Sequence, residues 1–330
     1  YMKFNLLLFC FLIVGGSVQA QYSYAKSEEF ANIQARPLIV EQLELDTKLI
    51  EKWEKKAKKA KKAAEYNAKI SKYKAFVTDY NTLMSKAVEE HWGLNSGVTY
   101  KTTSEVKQMM EDDSEEYTVL WYSETDSKRR DEYGATYFPN LTAPTLNYSR
   151  IEKGRFKTDY CYFMHFSHKR AEKVEYSDFV LSLKLMKQHM DYIVSNDKKK
   201  YAFHEYAEDQ AEENCKDLPK EGLFLRDASI HKKSTLEGIN STYGGTVATL
   251  TDEEIQQAIE QNEDRIVGMF FPFSIVVGNS GPLSIGRVQY VRCFVNIKTG
   301  KIYTAHGSKM GQFFDAYYRE KEFKKYKACD

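Results

Sequence analysis

Two stretches far apart in the chain carry the same local pattern, and that repetition constrains the fold more than any other feature. The first runs VTYKT from Val98, then Thr102-Thr-Ser-Glu105 and Val106, then Met109-Met110, then YTVLWYS from Tyr117 to Ser123. The second runs TVATL from Thr246, then Thr251-Asp-Glu-Glu254 and Ile255, then Ala258-Ile259, then RIVGMFF from Arg265 to Phe271. T-x-x-E is a capping box: the threonine hydroxyl accepts from a backbone N–H of the first helical turn, and the glutamate reaches back to the threonine N–H. Apolar residues at helical spacing follow each box, so each stretch reads strand, capped helix, strand.

The correspondence continues. Pro144–Arg150 (PTLNYSR) matches Pro282–Arg287 (PLSIGR), and each is followed by a strand with a cysteine near its middle, Asp159–Phe166 and Gln289–Ile297. Four elements in one order point to an internal duplication. The expected fold is α+β, with two related strand–helix–strand modules and a long N-terminal helix. The strands are expected to share one sheet about a pseudo-twofold axis, with the helices on one face.

The chain opens on an export signal. Lys3 precedes the apolar run Leu6–Val14, which is too short to span a bilayer, where about 20 apolar residues are needed. Val18 and Ala20 are small enough for the −3 and −1 positions, which places cleavage after Ala20 and the mature protein in the periplasm or outside the cell. The organisation then reads as a signal peptide over 1–20, a strand and Lys-rich helical arm over 21–93, and a first module over 94–177. A helical connector over 178–239 leads to a second module with a C-terminal helix over 240–330.

In the arm, Glu51–Lys62 holds seven lysines and neither proline nor glycine, so helix propensity is high. Downstream, Ala63, Tyr66, Ile70, Tyr73, Val77, Tyr80, Met84, Ala87 and His91 alternate at spacings of three and four, one face of a helix that Gly93 ends. The tyrosines suit one-sided packing on the arm's own domain better than a tight dimer seam. In the connector, Phe179, Leu183, Met186, Met190 and Ile193 share a helix face, and a second helix covers Tyr201–Glu213. Val291–Ile297, the turn Lys298-Thr-Gly300 and Lys301–Ala305 form a hairpin, and Gln312–Lys327 reads as a closing helix.

Charge and motifs exclude more than they assign. The chain has 48 basic and 47 acidic residues, and Lys3 leaves with the leader, so the mature chain is neutral and no nucleic-acid partner is expected. The lysines of the arm suit peripheral contact with anionic headgroups or polysaccharide, though a charge run is usually a solvated face. Cys161, Cys215, Cys293 and Cys329 allow three full disulfide connectivities, and none forms a C-x-x-C pair.

His204-Glu205-Tyr-Ala-Glu208 is half of a zinc-protease helix with Glu208 where the second histidine belongs. His165 and His168 close a strand, where positions three apart face opposite ways. These five residues are weak site candidates, with a solvated surface as the ordinary explanation. Val277–Pro282 reads as a connecting loop without P-loop spacing, and Asp112–Glu116 as an acidic loop after a helix. No cofactor or metal is expected. The function that follows is an exported, non-catalytic binding or scaffold protein with a protein or glycan partner in the envelope. The alternative is a hydrolase of envelope or extracellular polymers.

Overall fold

The computed structural model describes residues 19–20, 27–126, 142–165, 174–199, 201–280, 283–306 and 317–327. A two-residue strand β1 (Gln19–Ala20) and a helix α1 (Ser27–Gln34) lead into β2 (Leu38–Gln42). Two helices, α2 (Thr47–Ala57) and α3 (Ala63–His91), precede β3 (Val98–Thr102), α4 (Thr103–Glu111), β4 (Thr118–Asp126), β5 (Thr142–Glu152), β6 (Arg155–His165) and α5 (Tyr176–Ser195). After α6 (Phe203–Asn214) come β7 (Leu223–Arg226), α7 (Leu236–Tyr243), β8 (Val247–Leu250), α8 (Asp252–Glu260), β9 (Ile266–Ser280), β10 (Leu283–Asn296), β11 (Ile302–His306) and α9 (Phe323–Lys327).

The duplication is present and is longer than the sequence pattern suggests. One sheet has the order β3-β2-β4-β5-β6 and the other β11-β10-β9-β7-β8, which is the same order read from the other edge. In each, the first strand of the unit lies between the next two and parallel to both, and an antiparallel meander completes the sheet. Registers agree as well. Leu38 faces Val98 and Thr118, and Leu223 faces Val247 and Ile266. Both predicted capping boxes form at matching places: Glu105 N–H donates to Thr102 Oγ1 at 3.3 Å and Glu254 N–H to Thr251 Oγ1 at 3.2 Å. The glutamates accept from the threonine N–H groups at 2.7 and 2.8 Å.

Each unit therefore runs β-α-β-α-β-β-β-α, beginning at β2 and at β7. The strand placed with the helical arm by its sequence is the central strand of the first sheet. Parallel pairing explains the arrangement, because parallel neighbours require a long crossover, and α2 with α3 in one unit and α7 in the other supply it.

Three expectations change. The units do not share a sheet, and their helices cover both faces. In the first, Leu38, Val40, Leu120, Tyr122, Leu146 and Tyr148 point toward α3 and α5, while Ile39, Val119 and Ile151 meet Val106 and Met109 of α4. In the second, Val267, Met269 and Phe271 share a core with Ile255, Ala258 and Ile259 of α8, while Leu225, Ile266 and Phe270 meet α7 and α9. It is the α3/α5 side of the first unit that merges into one core with the α8 side of the second. Unlike faces meet, so the units stack head to tail and no pseudo-twofold axis relates them. A second change concerns the cysteine-bearing strands, which are not equivalent: Cys161 lies in β6, whose counterpart is β11, and Cys293 in β10, whose counterpart is β5. Thirdly, the loop expected from Val277 is strand as far as Ser280, because β9 and β10 pair from Asn296↔Ile266 to Leu283↔Ser280, with one register shift between Gln289 and Tyr290.

Helix α5 holds the units together. Its predicted stripe is fully buried, and so are Val180, Leu181, Leu185 and His189 on other sides. A helix apolar nearly all round belongs between two layers, and α5 touches α3 of the first unit and α8 of the second. Each fully buried Leu, Met, Phe or Ile side chain contributes about 2 kcal/mol by area removed from water. Asn95 ties α1 to this core: its amide donates to the Ile33, Gln34 and Arg36 carbonyls at 3.2, 3.3 and 2.7 Å, satisfying acceptors that a helix C-terminus leaves open. Its oxygen accepts from Trp92 Nε1 at 2.8 Å and the Tyr148 hydroxyl at 3.2 Å. At the chain's end, residues 317–319 are extended, with Tyr318 bridged to Ile230, so of the predicted closing helix only Glu320 onward is helical among the described residues.

Candidate functional site

The Lys-rich arm is a helical hairpin. Asp46 caps α2, accepting from the Leu49 N–H at 3.0 Å, and its own N–H donates to the Tyr73 hydroxyl at 3.0 Å. The chain turns over residues 58–62, so α2 folds back on the first half of α3. Trp53 meets Tyr73 edge to face at 5.8 Å, and the Lys56 and Lys69 ammonium groups lie 5.2 and 4.7 Å from the Tyr66 ring centre. The a/d stripe of α3 is its inward face, buried at Tyr66, Val77, Tyr80, Met84 and Ala87 and partly buried at Ala63, Ile70, Tyr73 and His91. Tyr66 packs under α2, and Tyr80, Met84 and Ala87 enter the main core, where Tyr80 meets Phe179 at 5.6 Å and Tyr122 at 5.2 Å. At about 1.5 Å per residue, α3 is roughly 43 Å long, and its first half with α2 lies away from the sheets. Between Lys48 and Lys74 stand eleven lysines, all exposed, against three exposed carboxylates, Glu51, Glu54 and Glu65. In a chain of net charge +1, this end carries an excess of eight positive charges.

Of the three histidine candidates, only His204 has a side chain among the described residues. His204 is partly buried on α6, and burial holds its imidazole below the ordinary value, although Glu205 and Glu208 pull the other way. The Glu205 carboxylate is committed to the helix start, accepting from the Ala202 N–H at 2.7 Å, and Glu208 faces solvent. The side chain of His165 and all of His168 lie outside the described residues, which contain no group of three His, Cys, Asp or Glu placed to hold a metal ion. Cys215 is disulfide-bonded to a partner outside the described side chains. Cys293 is free and fully buried, and burial pushes its thiol far up, which leaves it a core residue without nucleophilic character.

Open sheets with crossovers in both directions bind ligands at the carboxyl ends of the strands where the order reverses. Here those positions are taken by the chain's own contacts. At the end of β2, Glu41 is buried; burial raises its carboxyl, while the Thr103 hydroxyl and the Tyr122 N–H hydrogen-bond to it. The equivalent pair at the end of β7 is Arg226 with Asp252, at 2.7 Å. Both tie a central strand to the first turn of the capped helix of its unit, α4 in the first and α8 in the second.

An aromatic cluster that the sequence reading overlooked lies between α5 and α6. His189 is fully buried, stacked on Tyr206 at 4.8 Å and against Phe203 and Tyr201, and desolvation depresses its pKa to about 3. Nearby, the Asp209 carboxylate accepts from the Tyr192 hydroxyl at 2.9 Å and from the Tyr201 hydroxyl, with Lys198 at 3.5 Å. Burial opposes its ionisation, but these donors outweigh burial and hold the carboxyl below its usual range. The sequence signal is the Y-x-x-x-x-x-x-x-x-Y-x-x-x-x-Y spacing of Tyr192, Tyr201 and Tyr206, which brings rings together only once α5 and α6 pack on each other.

The fold and these surfaces define a tandem α+β protein with a cationic helical hairpin projecting from its first unit. No protein-family model matches the chain, no curated protein is significantly similar to it in sequence, and no solved structure is significantly similar to it in fold. Among the described residues no helix is long and apolar enough to cross a membrane.

Proposed function

We propose that the chain is an exported, non-catalytic binding or scaffold protein whose α2–α3 hairpin holds it against an anionic surface of the cell envelope. One observation carries this reading: eleven exposed lysines against three exposed carboxylates on the hairpin end, in a chain whose net charge is only +1. Each lysine brought to an anionic lipid surface contributes about 1 kcal/mol, and the attraction decays within a Debye length of about 8 Å at physiological salt. The hairpin suits this role because its apolar residues are turned inward onto α2 and the core, which leaves the lysines as the contact face. Export through the Leu6–Val14 leader supplies the compartment.

Co-sedimentation of the mature chain with phosphatidylglycerol-containing vesicles tests it. Binding is expected to fall steeply with salt and to be lost in a Lys52→Glu/Lys55→Glu/Lys59→Glu variant whose melting temperature is unchanged. Equal partitioning of wild type and variant, or a native polypeptide that still begins before Gln21, would refute the reading.

A further inference from the structure

The segments that lead into α7 and into α9 run side by side. Ile230 and Tyr318 form a parallel bridge, in which the His231 N–H donates to the Tyr318 carbonyl at 2.9 Å and the Tyr318 N–H to the Ser229 carbonyl at 2.7 Å. The Glu320 N–H donates to Ser234 Oγ at 3.2 Å. The second segment is anchored to β10, where the buried Arg292 guanidinium meets both Glu322 oxygens at 2.7 Å and the Tyr317 carbonyl at 3.1 Å. Two stretches distant in sequence are thus held in fixed relation by backbone bonds and a buried ion pair.

Between them opens a cleft of about 650 Å³, within the range of small-molecule sites. Five cations line it, Lys232, Lys233, Arg319, Lys321 and Lys324, against one carboxylate, Glu320. The other groups in the lining add donors. His231 Nδ1 accepts from the Lys233 N–H at 3.2 Å, which places the proton of the neutral ring on Nε2. Ser234 and Thr242 bring hydroxyls. Glu320 lies against the first turn of α7, so close that a Cβ on Gly238 would stand 2.4 Å from its carboxylate oxygen. A side chain at Gly238 would push this carboxylate, the far end of a flexible side chain, aside.

The lining is rich in donors and has an excess of four positive charges. A monocarboxylate would offset one of them. A phosphoryl group carries up to two charges and several acceptor oxygens, and charge-assisted hydrogen bonds to such oxygens are the strong ones. We infer that the cleft between the α7 and α9 segments is a binding site for a small phosphorylated ligand. It belongs to the second unit alone, because the equivalent crossover of the first unit is the α2–α3 hairpin. It is also independent of the surface role of that hairpin.

Isothermal titration of the full mature chain with glucose 6-phosphate and with pyrophosphate, at about 0.15 M salt to screen diffuse attraction, tests the site, with citrate as the polycarboxylate control. Saturable one-site binding of a phosphate probe is expected. Lys232→Ala/Lys324→Ala should weaken it at least about tenfold, Glu320→Gln should tighten it, and Lys52→Glu/Lys55→Glu/Lys59→Glu should leave it unchanged, all with melting temperatures near wild type. The inference is overturned if neither phosphate probe saturates, if citrate binds as tightly, or if the Lys232/Lys324 variant binds like wild type. Loss of binding in the hairpin variant would likewise overturn it, by relocating the phosphate contact.

Discussion

Acid should destabilise this protein well before its carboxylates titrate, because the buried His189 and the partly buried His306 are held neutral. His189 is completely buried among Tyr201, Phe203 and Tyr206, and burial lowers its pKa to about 3; His306, stacked on Tyr326, is lowered to about 4 by burial and by Lys325 and Arg292. An unfolded histidine titrates near 6.5. Below that pH the unfolded chain takes up protons that the folded chain refuses, so stability present at neutral pH is lost as pH falls from about 6.5 toward each folded value. The slope is about 1.4 kcal/mol per pH unit for each group. Between pH 7 and pH 5 each histidine therefore costs about 2 kcal/mol, and the pair about 4 kcal/mol, a large part of the roughly 5–15 kcal/mol that folded chains possess. Replacing His189 by Phe keeps an aromatic ring in the cluster and removes the proton. Urea unfolding at pH 7 and pH 5 should show a loss about 2 kcal/mol smaller in His189→Phe than in wild type. An equal loss in both proteins would refute the reasoning, since it would mean that His189 is not held neutral by the fold.

Two further outcomes follow from the packing. Thr102→Ala and Thr251→Ala remove equivalent caps and should each cost about 1 kcal/mol, measured by urea unfolding; a cost at one site only would argue against equivalent units. Arg292→Met leaves the Glu322 carboxylate, with only 13% of its side chain exposed, without its bidentate partner, and should cost about 3–5 kcal/mol. Adding Glu322→Gln to it should recover much of that loss in the same assay.

Local pattern was enough for a good part of this fold. The capping boxes at Thr102 and Thr251, the buried stripe of α3, the α5 face and the β10–β11 hairpin all rest on residues within a few turns or one tight reversal of each other, and each formed where the pattern placed it. The arm was legible as helix, but not as two helices, since no proline or glycine marks the turn over 58–62; the reversal depends on Trp53 and Tyr73 meeting across it. The cationic end of the hairpin is visible as a Lys-rich run, whereas the cleft is not, because its two walls come from segments joined only by the Ile230–Tyr318 bridge.

What the amino-acid sequence determined by itself is the repeated strand–helix–strand unit, the polarity of each helix face and the charge of the arm. Only the tertiary structure decided that β2 and β7 are central strands, that the sheets stay separate, and that the units stack by unlike faces. Parallel pairing and face-to-face stacking are contacts between residues far apart in the chain, and a four-residue strand such as Leu223–Arg226 carries too little pattern to announce its neighbours. The burial of α5 on nearly every side is what selects the head-to-tail arrangement, since both units need that one apolar helix to close their cores.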